Sequence, residues 1–312
     1  MASERPLLIT GKITGVEGLR NIIQGVDFAA TQLAPGACTG ELLHADLDGL
    51  QFSCGIFDAD VRLRSIAPSV NVVLGTVLNS DGAVSHWNNE VIEGDICVCP
   101  PGHHQEGHFR GRTSYAVVSL PLEGLRDAAC EFDDLWSEIG SHRPSVEMRE
   151  ATCRKLTTCI SMLRALGPEL SARARKFMRD EILDSYLDAL ADAALAGSPP
   201  ASAASSARTV KLVEDYLTGH FQKPVRVNEL CAELKISRRT LYRAFQETLG
   251  VGPKTYLRLA SLSTARRALV EAPPGSTSVT EVALDHGFLE LGRFSVLYRQ
   301  MFGESPSDTL RR

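Results

Sequence analysis

Four residues near position 240 carry side chains that suit contact with a nucleic acid: Arg238, Arg239, Tyr242 and Arg243. On a helix, Arg239, Tyr242 and Arg243 would share one face, because residues three and four apart are neighbours. Arginine pairs with guanine edges and with phosphates. Such a cluster also occurs as the solvated face of a structural helix, so the surrounding sequence has to decide between the two interpretations.

A second set of residues, His104, Glu106 and His108, alternates along the chain. In an extended strand the three side chains would lie on one face, and imidazole with carboxylate suits zinc or iron. The alternative is a loop of exposed polar residues after Pro100-Pro101-Gly102. Because no complete ligand set is visible, we expect no bound metal and no other cofactor.

The basic cluster belongs to a unit that occurs twice in the sequence. Phe245-x4-Gly250-x2-Pro253 recurs 53 residues later as Tyr298-x4-Gly303-x2-Pro306, and Cys231-x3-Lys235-Ile236 recurs as Ala283-x3-Gly287-Phe288. Each unit predicts a short helix, a tight turn and a second helix. In such a helix-turn-helix the second helix enters the major groove of DNA.

The predicted helices of the two units are 228–234 with 237–248, and 279–286 with 290–302; one continuous helix, 256–270, joins them. Ser237 is a candidate N-cap, and Ser278-x-x-Glu281 matches a capping box. Gly287 suits a corner that requires a positive φ angle. Lys235 stands at the equivalent corner, so we expect strain there.

The charge of the chain is divided between two unlike parts. Over 312 residues the net charge is −5, but residues 1–206 carry 17 basic and 27 acidic side chains, and residues 207–312 carry 16 and 11. A basic C-terminal third can meet a polyanion while the acidic remainder stays away from it. The composition, with 44% hydrophobic and 23% charged residues, is typical of a globular protein and excludes a disordered or collagen-like chain.

The sequence pattern of the region before the basic third changes twice. Short apolar segments between residues 21 and 122, with Asp-Gly pairs at 48–49 and 81–82, predict an antiparallel sandwich or barrel. These segments are 41–47, 50–57, 61–66, 71–78, 90–99 and 113–120. Residues 146–166 and 169–195 predict two amphipathic helices, and the Pro/Ser/Ala-rich stretch that follows predicts a flexible linker.

No signal peptide and no membrane-spanning segment is visible, and the eight cysteines show no disulfide spacing. These features predict a cytoplasmic protein with reduced thiols and no membrane partner.

Residues 209–312 resemble the double helix-turn-helix DNA-binding domain of the AraC/XylS family of bacterial transcription regulators. The residues that carry the resemblance are Leu230-Cys-Ala-x-Leu234-x-Ile236-Ser237-x4-Tyr242-Arg243-x-Phe245-x4-Gly250, Pro253-x2-Tyr256, Ala283-x3-Gly287-Phe288-x5-Phe294-x3-Tyr298-Arg299-x2-Phe302-Gly303-x2-Pro306. The resemblance covers about a third of the chain and places the base-reading positions on Arg239, Tyr242 and Arg243, and on Gly292 and Val296.

Gly292 and Val296 have no side chain that can donate paired hydrogen bonds to a base. We therefore expect the first unit to supply most of the sequence readout, with Arg238 beside it. We expect the second unit to anchor on phosphates through Arg293, Arg299 and Ser295, with Val296 limited to apolar contact with a thymine methyl.

The resemblance also implies an α+β fold with four parts. These are a cupin-like antiparallel β-barrel that senses an effector (1–130), dimerisation helices (131–195), a linker (196–208), and an all-α domain with two helix-turn-helix units joined by a long helix (209–312). Gly94-Asp95-x4-Pro100-x-Gly102 resembles part of the second cupin motif, but the metal-binding His would fall at Gln105, and the first motif's His-x-His pair is absent.

The resulting hypothesis is a sequence-specific transcription regulator, an activator and not an enzyme, controlled by a small-molecule effector of unknown identity. Its implied partners are double-stranded DNA, RNA polymerase and a second copy of the chain. Two alternatives stay open: a metal-dependent cupin-type enzyme fused to a DNA-binding domain, and a regulator controlled by a partner protein.

Overall fold

The computed structural model describes residues 8–311 except 88, 124, 126–138, 169, 196–204, 221–224, 226 and 289. Within these ranges no helix is long and apolar enough to cross a membrane. The chain combines an N-terminal sheet domain with a C-terminal helical region. We use "sheet domain" for the strands β1–β12 with the helices α1 and α2, and "helical region" for α3–α9.

Two antiparallel sheets form the sheet domain. Among the described residues one sheet has seven strands, in the order β1-β3-β4-β11-β6-β9-β12, and the other has five, in the order β2-β5-β10-β7-β8. A 3₁₀ helix, Val16–Asn21, follows β1. The strands are β1 Leu8–Thr14, β2 Ala29–Gln32, β3 Thr39–Leu47, β4 Leu50–Asp58, β5 Val61–Ile66, β6 Asn71–Ser80, β7 Val84–His86, β8 Asn89–Val91, β9 Ile96–Cys99, β10 His104–Phe109, β11 Arg112–Pro121 and β12 Gly140–His142.

Most of the predicted strands are present, and one is divided. Asp48 and Gly49, with φ angles of 54° and 90°, form the two-residue turn between Leu47 and Leu50 that the Asp-Gly pair predicts. The segment 90–99 forms two strands in different sheets, because the chain turns at Gly94, where φ is 81°. Strands β1, β2, β7 and β12 were not predicted; β12 lies inside the region 131–195 that we expected to be helical.

Helices α1 (Val146–Leu166) and α2 (Ala172–Leu195) cover the outer face of the seven-stranded sheet. Their apolar stripe packs largely on the same chain, since Tyr186 and Leu190 are fully buried there. The Tyr186 hydroxyl donates a hydrogen bond of 2.8 Å to the carbonyl oxygen of Ala116 in β11. Phe177 is the exception, with 51% of its surface exposed.

The helical region contains α3 Ser205–His220, α4 Val227–Glu233, α5 Arg238–Leu249, α6 Pro253–Glu271, α7 Val279–Asp285, α8 Leu291–Phe302 and α9 Pro306–Leu310. Helix α3 begins inside the stretch 196–208 that we predicted as linker. The reason is that Ala207, Val210, Val213 and Leu217 return at helical spacing and are buried, although the residues around Ala207 are small and uncharged.

The two helix-turn-helix turns have the same backbone geometry. Lys235 and Gly287 both take positive φ angles, 53° and 83°. The N–H of the following residue then bonds back to the first helix, from Ile236 to the carbonyl of Cys231 (3.1 Å) and from Phe288 to that of Ala283 (2.8 Å). The Ser237 N-cap and the capping box at Ser278 are both confirmed.

Replacing Lys235 by glycine should stabilise the protein. A left-handed conformation costs a side-chain-bearing residue ~1–2 kcal/mol, and the greater freedom of glycine in the unfolded chain offsets part of that gain, so we expect roughly 0.5–1 kcal/mol. Lys254→Gly is the matched control: Lys254 lies in the first turn of α6 without a positive φ angle, and its replacement should not stabilise the protein. Urea unfolding of both variants tests this, and destabilisation by Lys235→Gly would refute the strain.

Candidate nucleic-acid interface and the surface that supports it

Helix α5 of the first unit has one buried face and one free face. Leu241, Ala244 and Phe245 are buried, while Tyr242 is 43% exposed and Arg243 is exposed. Arg243 forms no ion pair with any residue that the structure describes. Arg238 and Arg239 belong to the first turn of α5, but their side chains lie outside the described part. The two predicted contact residues whose side chains are described therefore lie on the free face, opposite the core.

Helix α8 of the second unit is arranged in the same way, but its free face is less polar. Gly292, Arg293 and Arg299 are exposed, and Val296 is 57% exposed. The half-buried Ser295 hydroxyl donates to the carbonyl oxygen of Leu291 at 3.0 Å, so it would have to rotate before it could donate to a phosphate.

Helix α6 holds the two units in place through aromatic and cationic contacts. The rings of Phe245 in α5 and Tyr256 in α6 lie with centroids 5.2 Å apart. Toward its other end, the Arg266 guanidinium lies 4.8 Å from the ring centroid of Phe302 in α8, a cation–π contact. Both free helix faces are thus carried by one rigid connecting element.

The helical region packs against the outer face of the five-stranded sheet through a buried ion-pair network. Arg62 of β5 has a fully buried side chain, and its guanidinium contacts Glu214 of α3 at 3.3 Å and Glu106 of β10 at 3.1 Å. Arg64 of β5 contacts Glu214 at 3.1 Å, and the Tyr256 hydroxyl donates to Glu214 at 2.6 Å. Charges from the sheet domain and the helical region therefore neutralise each other away from water.

Burial alone would lower the pKa of Arg62, but the carboxylates of Glu214 and Glu106 outweigh it, so the pKa of Arg62 is raised. For Glu106 the balance is reversed. Burial raises its pKa, and Arg62 offsets this only in part.

A second contact lies at the other end of α6. The Arg266 guanidinium contacts Glu17 of the 3₁₀ helix and Glu304, both at 2.7 Å. Nearby, the Gln32 side-chain amide of β2 donates to the carbonyl oxygen of Met301 in α8 at 3.2 Å. The sheet domain is therefore in direct contact with α3, α6 and α8 of the helical region.

The candidate metal ligands lie on one strand face, as the alternation requires, but two of them have other partners. The Glu106 carboxylate pairs with Arg62, and the Nε2 atom of His108 lies 2.9 Å from Oδ1 of Asp60. His104 is exposed at the strand end. The described residues contain no group of three His, Cys, Asp or Glu side chains arranged for a metal ion. Residues 104–109 form strand β10, in which Glu106 and His108 are buried, so the exposed polar loop that we favoured over a metal site is wrong.

Between the two sheets lies a cavity of about 680 Å³, counting its open mouth. Its wall is mainly apolar and includes Phe57, Phe109, Trp87 and Val117. Gln105, on the opposite face of β10 from Glu106, also lines it.

Sequence reasoning missed Arg62, Arg64 and Glu214. A signal was present, because Val61–Ile66 alternates apolar residues with arginines and so predicts a charged strand face. The acidic partner on α3 lies about 150 positions away in the sequence, and nothing local points to it.

Comparison with known proteins assigns the family. A helix-turn-helix domain family matches residues 230–312. A XylDLEGF operon transcriptional activator of Pseudomonas putida is 31% identical over 232 residues, which cover 70% of this chain and 67% of that protein. A crystal structure of a probable AraC family transcriptional regulator from Rhodopseudomonas palustris is 39% identical and covers 34% of this chain and 96% of its own, with a TM-score of 0.31. The chain belongs to the AraC/XylS family of transcription regulators.

Two further proteins are similar to this chain over most of its length. Another P. putida protein, XylDLEGF operon transcriptional activator 1, is 27% identical over 297 residues, or 89% of this chain and 86% of its own. The structure of the AraC-like transcriptional activator CuxR is 16% identical and covers 89% of this chain and all of its own, with a TM-score of 0.42. As a member of the AraC/XylS family, the chain is a DNA-binding transcription regulator, and the family is not one of enzymes.

In this AraC/XylS-family chain, Arg62→Met should loosen the contact between the sheet domain and the helical region. Removing one partner of a buried ion pair leaves the other uncompensated and costs ~3–5 kcal/mol. The matched control is Lys155→Met, which breaks the exposed pair between Lys155 and Asp188 (3.5 Å) and should cost less than about 1 kcal/mol. Urea unfolding measures the free energy of unfolding of both variants. Equal losses of stability would show that the ion-pair network does not hold the sheet domain and the helical region together.

Proposed function

We propose that the chain is a sequence-specific transcription activator whose DNA binding is controlled by a small molecule held in the cavity of the sheet domain. One observation carries the effector part of this proposal. Strand β10 lines the cavity with Gln105 and Phe109 on one face, and on the other face its Glu106 pairs with Arg62, whose guanidinium also contacts Glu214 of the helical region. A ligand between the sheets would therefore touch a strand that takes part in the ion-pair network behind the DNA-binding units.

We propose unequal roles for the two units on DNA. Helix α5 reads bases with Arg239, Tyr242 and Arg243, with Arg238 beside them. Helix α8 anchors on phosphates with Arg293 and Arg299, while Ser295 assists only after its hydroxyl rotates. Gly292 and Val296 leave an apolar surface that suits a thymine methyl. The exposure of Arg243, Arg293, Val296 and Arg299 supports this division.

The domain division belongs to the same proposal: a cupin-like sensor (1–130), helices 131–195 that pair two subunits, and a DNA-binding domain after a short linker. Because most of the stripe on α2 is buried on its own sheet, pairing would use what is left exposed, Phe177 with Met162 and Leu166 of α1. A homodimer doubles the DNA footprint and raises the effective concentration of the second reader. As an activator, it would contact RNA polymerase.

DNA binding by the full chain should be salt-sensitive, because lysine and arginine contacts to phosphates release counterions. Selection of sites from random duplex DNA should yield a motif with most of its information in one half. The proposal fails if no duplex is bound in a salt-dependent way. A site with two equally informative halves would refute the unequal roles alone.

Two arginine variants separate readout from anchoring. Arg243→Ala should cost roughly 1–3 kcal/mol in binding to the selected site and relax the preference at one base pair. Arg299→Ala should weaken binding to all sequences alike and reduce the salt slope by about one. Each serves as the control for the other in competition binding with single-base variants of the site. A change of base preference in Arg299→Ala would contradict the assignment.

A further inference from the structure

The cavity between the two sheets has a wall of aromatic rings and aliphatic side chains. The rings of Phe57 and Phe109 meet edge to face with centroids 5.4 Å apart, and the His86 ring meets Phe109 at the same distance, with an angle of 89° between the ring planes. Val77 and Val117 complete the apolar wall. Such a wall suits a flat or compact apolar molecule.

No described residue of the wall offers a positive charge to a ligand. The described residues of the wall include no lysine or arginine, and the carboxylate of Glu106 is engaged by Arg62 on the far side of the strand. Burial lowers the pKa of His86 to about 4, so its imidazole is neutral at pH 7. An anionic ligand would lose its hydration here without gaining a counter-ion, which is strongly unfavourable.

Most polar groups around the cavity already have partners. The Trp87 indole N–H donates to the carbonyl oxygen of His104 at 3.0 Å, and the Tyr115 hydroxyl donates to that of Ile22 at 2.8 Å. The thiol of Cys99 lies within 3.8 Å of the carbonyl oxygen of Pro100. Gln105 differs, because its side-chain Nε2 is buried and has no hydrogen-bond partner among the residues that the structure describes.

An unpaired buried amide is costly, and a ligand that accepts its hydrogen bond removes that cost. Gln105 shares its strand face with Gly107 and Phe109, which also line the cavity. The amide therefore stands beside the apolar wall as a donor within the cavity.

We propose that the cavity selects an uncharged, compact aromatic molecule that carries one carbonyl-type acceptor, to which the side-chain amide of Gln105 donates. This inference rests on the proposed function, since it assumes that the cavity is the effector site. It adds the chemical class of the effector and the residue that recognises its polar atom.

Three probes of similar size test the assignment by calorimetric titration of the full-length protein at pH 7.5. Acetophenone carries the ring and the carbonyl, ethylbenzene lacks the acceptor, and benzoate replaces it with a charge. Acetophenone should bind about 5–10-fold more tightly than ethylbenzene, the factor that corresponds to one hydrogen bond to a buried donor. Benzoate should bind more weakly than either.

Gln105→Leu should reduce the affinity for acetophenone to that for ethylbenzene and leave ethylbenzene within about twofold, because only the donor is lost. Gln300→Leu, at an exposed position in α8, is the matched control and should change none of the three. Val117→Phe, which fills the cavity, should weaken both neutral probes. If Gln105→Leu does not fold, Val117→Phe still tests whether the probes bind in the cavity.

Equal affinities for acetophenone and ethylbenzene, tighter binding of benzoate, or no binding of any probe would each overturn this ligand class. None of these results affects salt-dependent DNA binding, which tests the regulator itself. If acetophenone binds as expected but leaves DNA affinity unchanged, the ligand class stands and effector control through the cavity fails.

Discussion

A guanidinium without access to water has to be neutralised where it lies, and Arg62 is neutralised by carboxylates from both parts of the chain. Glu106 comes from the neighbouring strand and Glu214 from the first helix of the helical region. Such a network gains little over apolar packing when intact, but it is very costly when one partner leaves. Moving the helical region away from the sheet domain would therefore separate these buried charges, at a high cost in free energy.

The alternation of side chains along strand β10 connects the ion-pair network to the cavity. Successive side chains of β10 point to opposite faces, so Gln105 and Glu106 are adjacent in the chain but belong to different surfaces. A ligand that moves β10 by a fraction of an ångström changes the contact of Glu106 with Arg62. For a ligand to shift DNA binding, it must bind one arrangement of the two parts more tightly than the other. In the proposed effector control, the strand shared by both surfaces would be the physical route for that difference.

The sequence predicted local structure better than long-range contacts. Helix α1 and strand β5 have the predicted bounds, and the Asp48-Gly49 turn and the corner at Gly287 follow from residue types that favour positive φ. The corner at Lys235 followed from its equivalent position in the repeat. The contact between Arg62 and Glu214 was not predictable, because a charged strand face does not identify which distant carboxylate will cover it. The candidate site shows the same limit. Helical spacing predicted the free face of α5, but nothing in the sequence predicted the contact surface between the helical region and the sheet domain.

The two helix-turn-helix units share a backbone arrangement but differ in the side chains that they expose. Their backbones match at the turn, and Phe245 and Tyr298 are fully buried at equivalent core positions. The exposed positions are under no such constraint, because a solvent-facing side chain contributes little to packing. Arg243 and Val296 can therefore differ in charge and hydrogen-bonding capacity while the helices that carry them keep the same geometry. The two units therefore share the core that positions each helix, and the division into a base reader and a phosphate anchor that we propose needs differences on their outer faces alone.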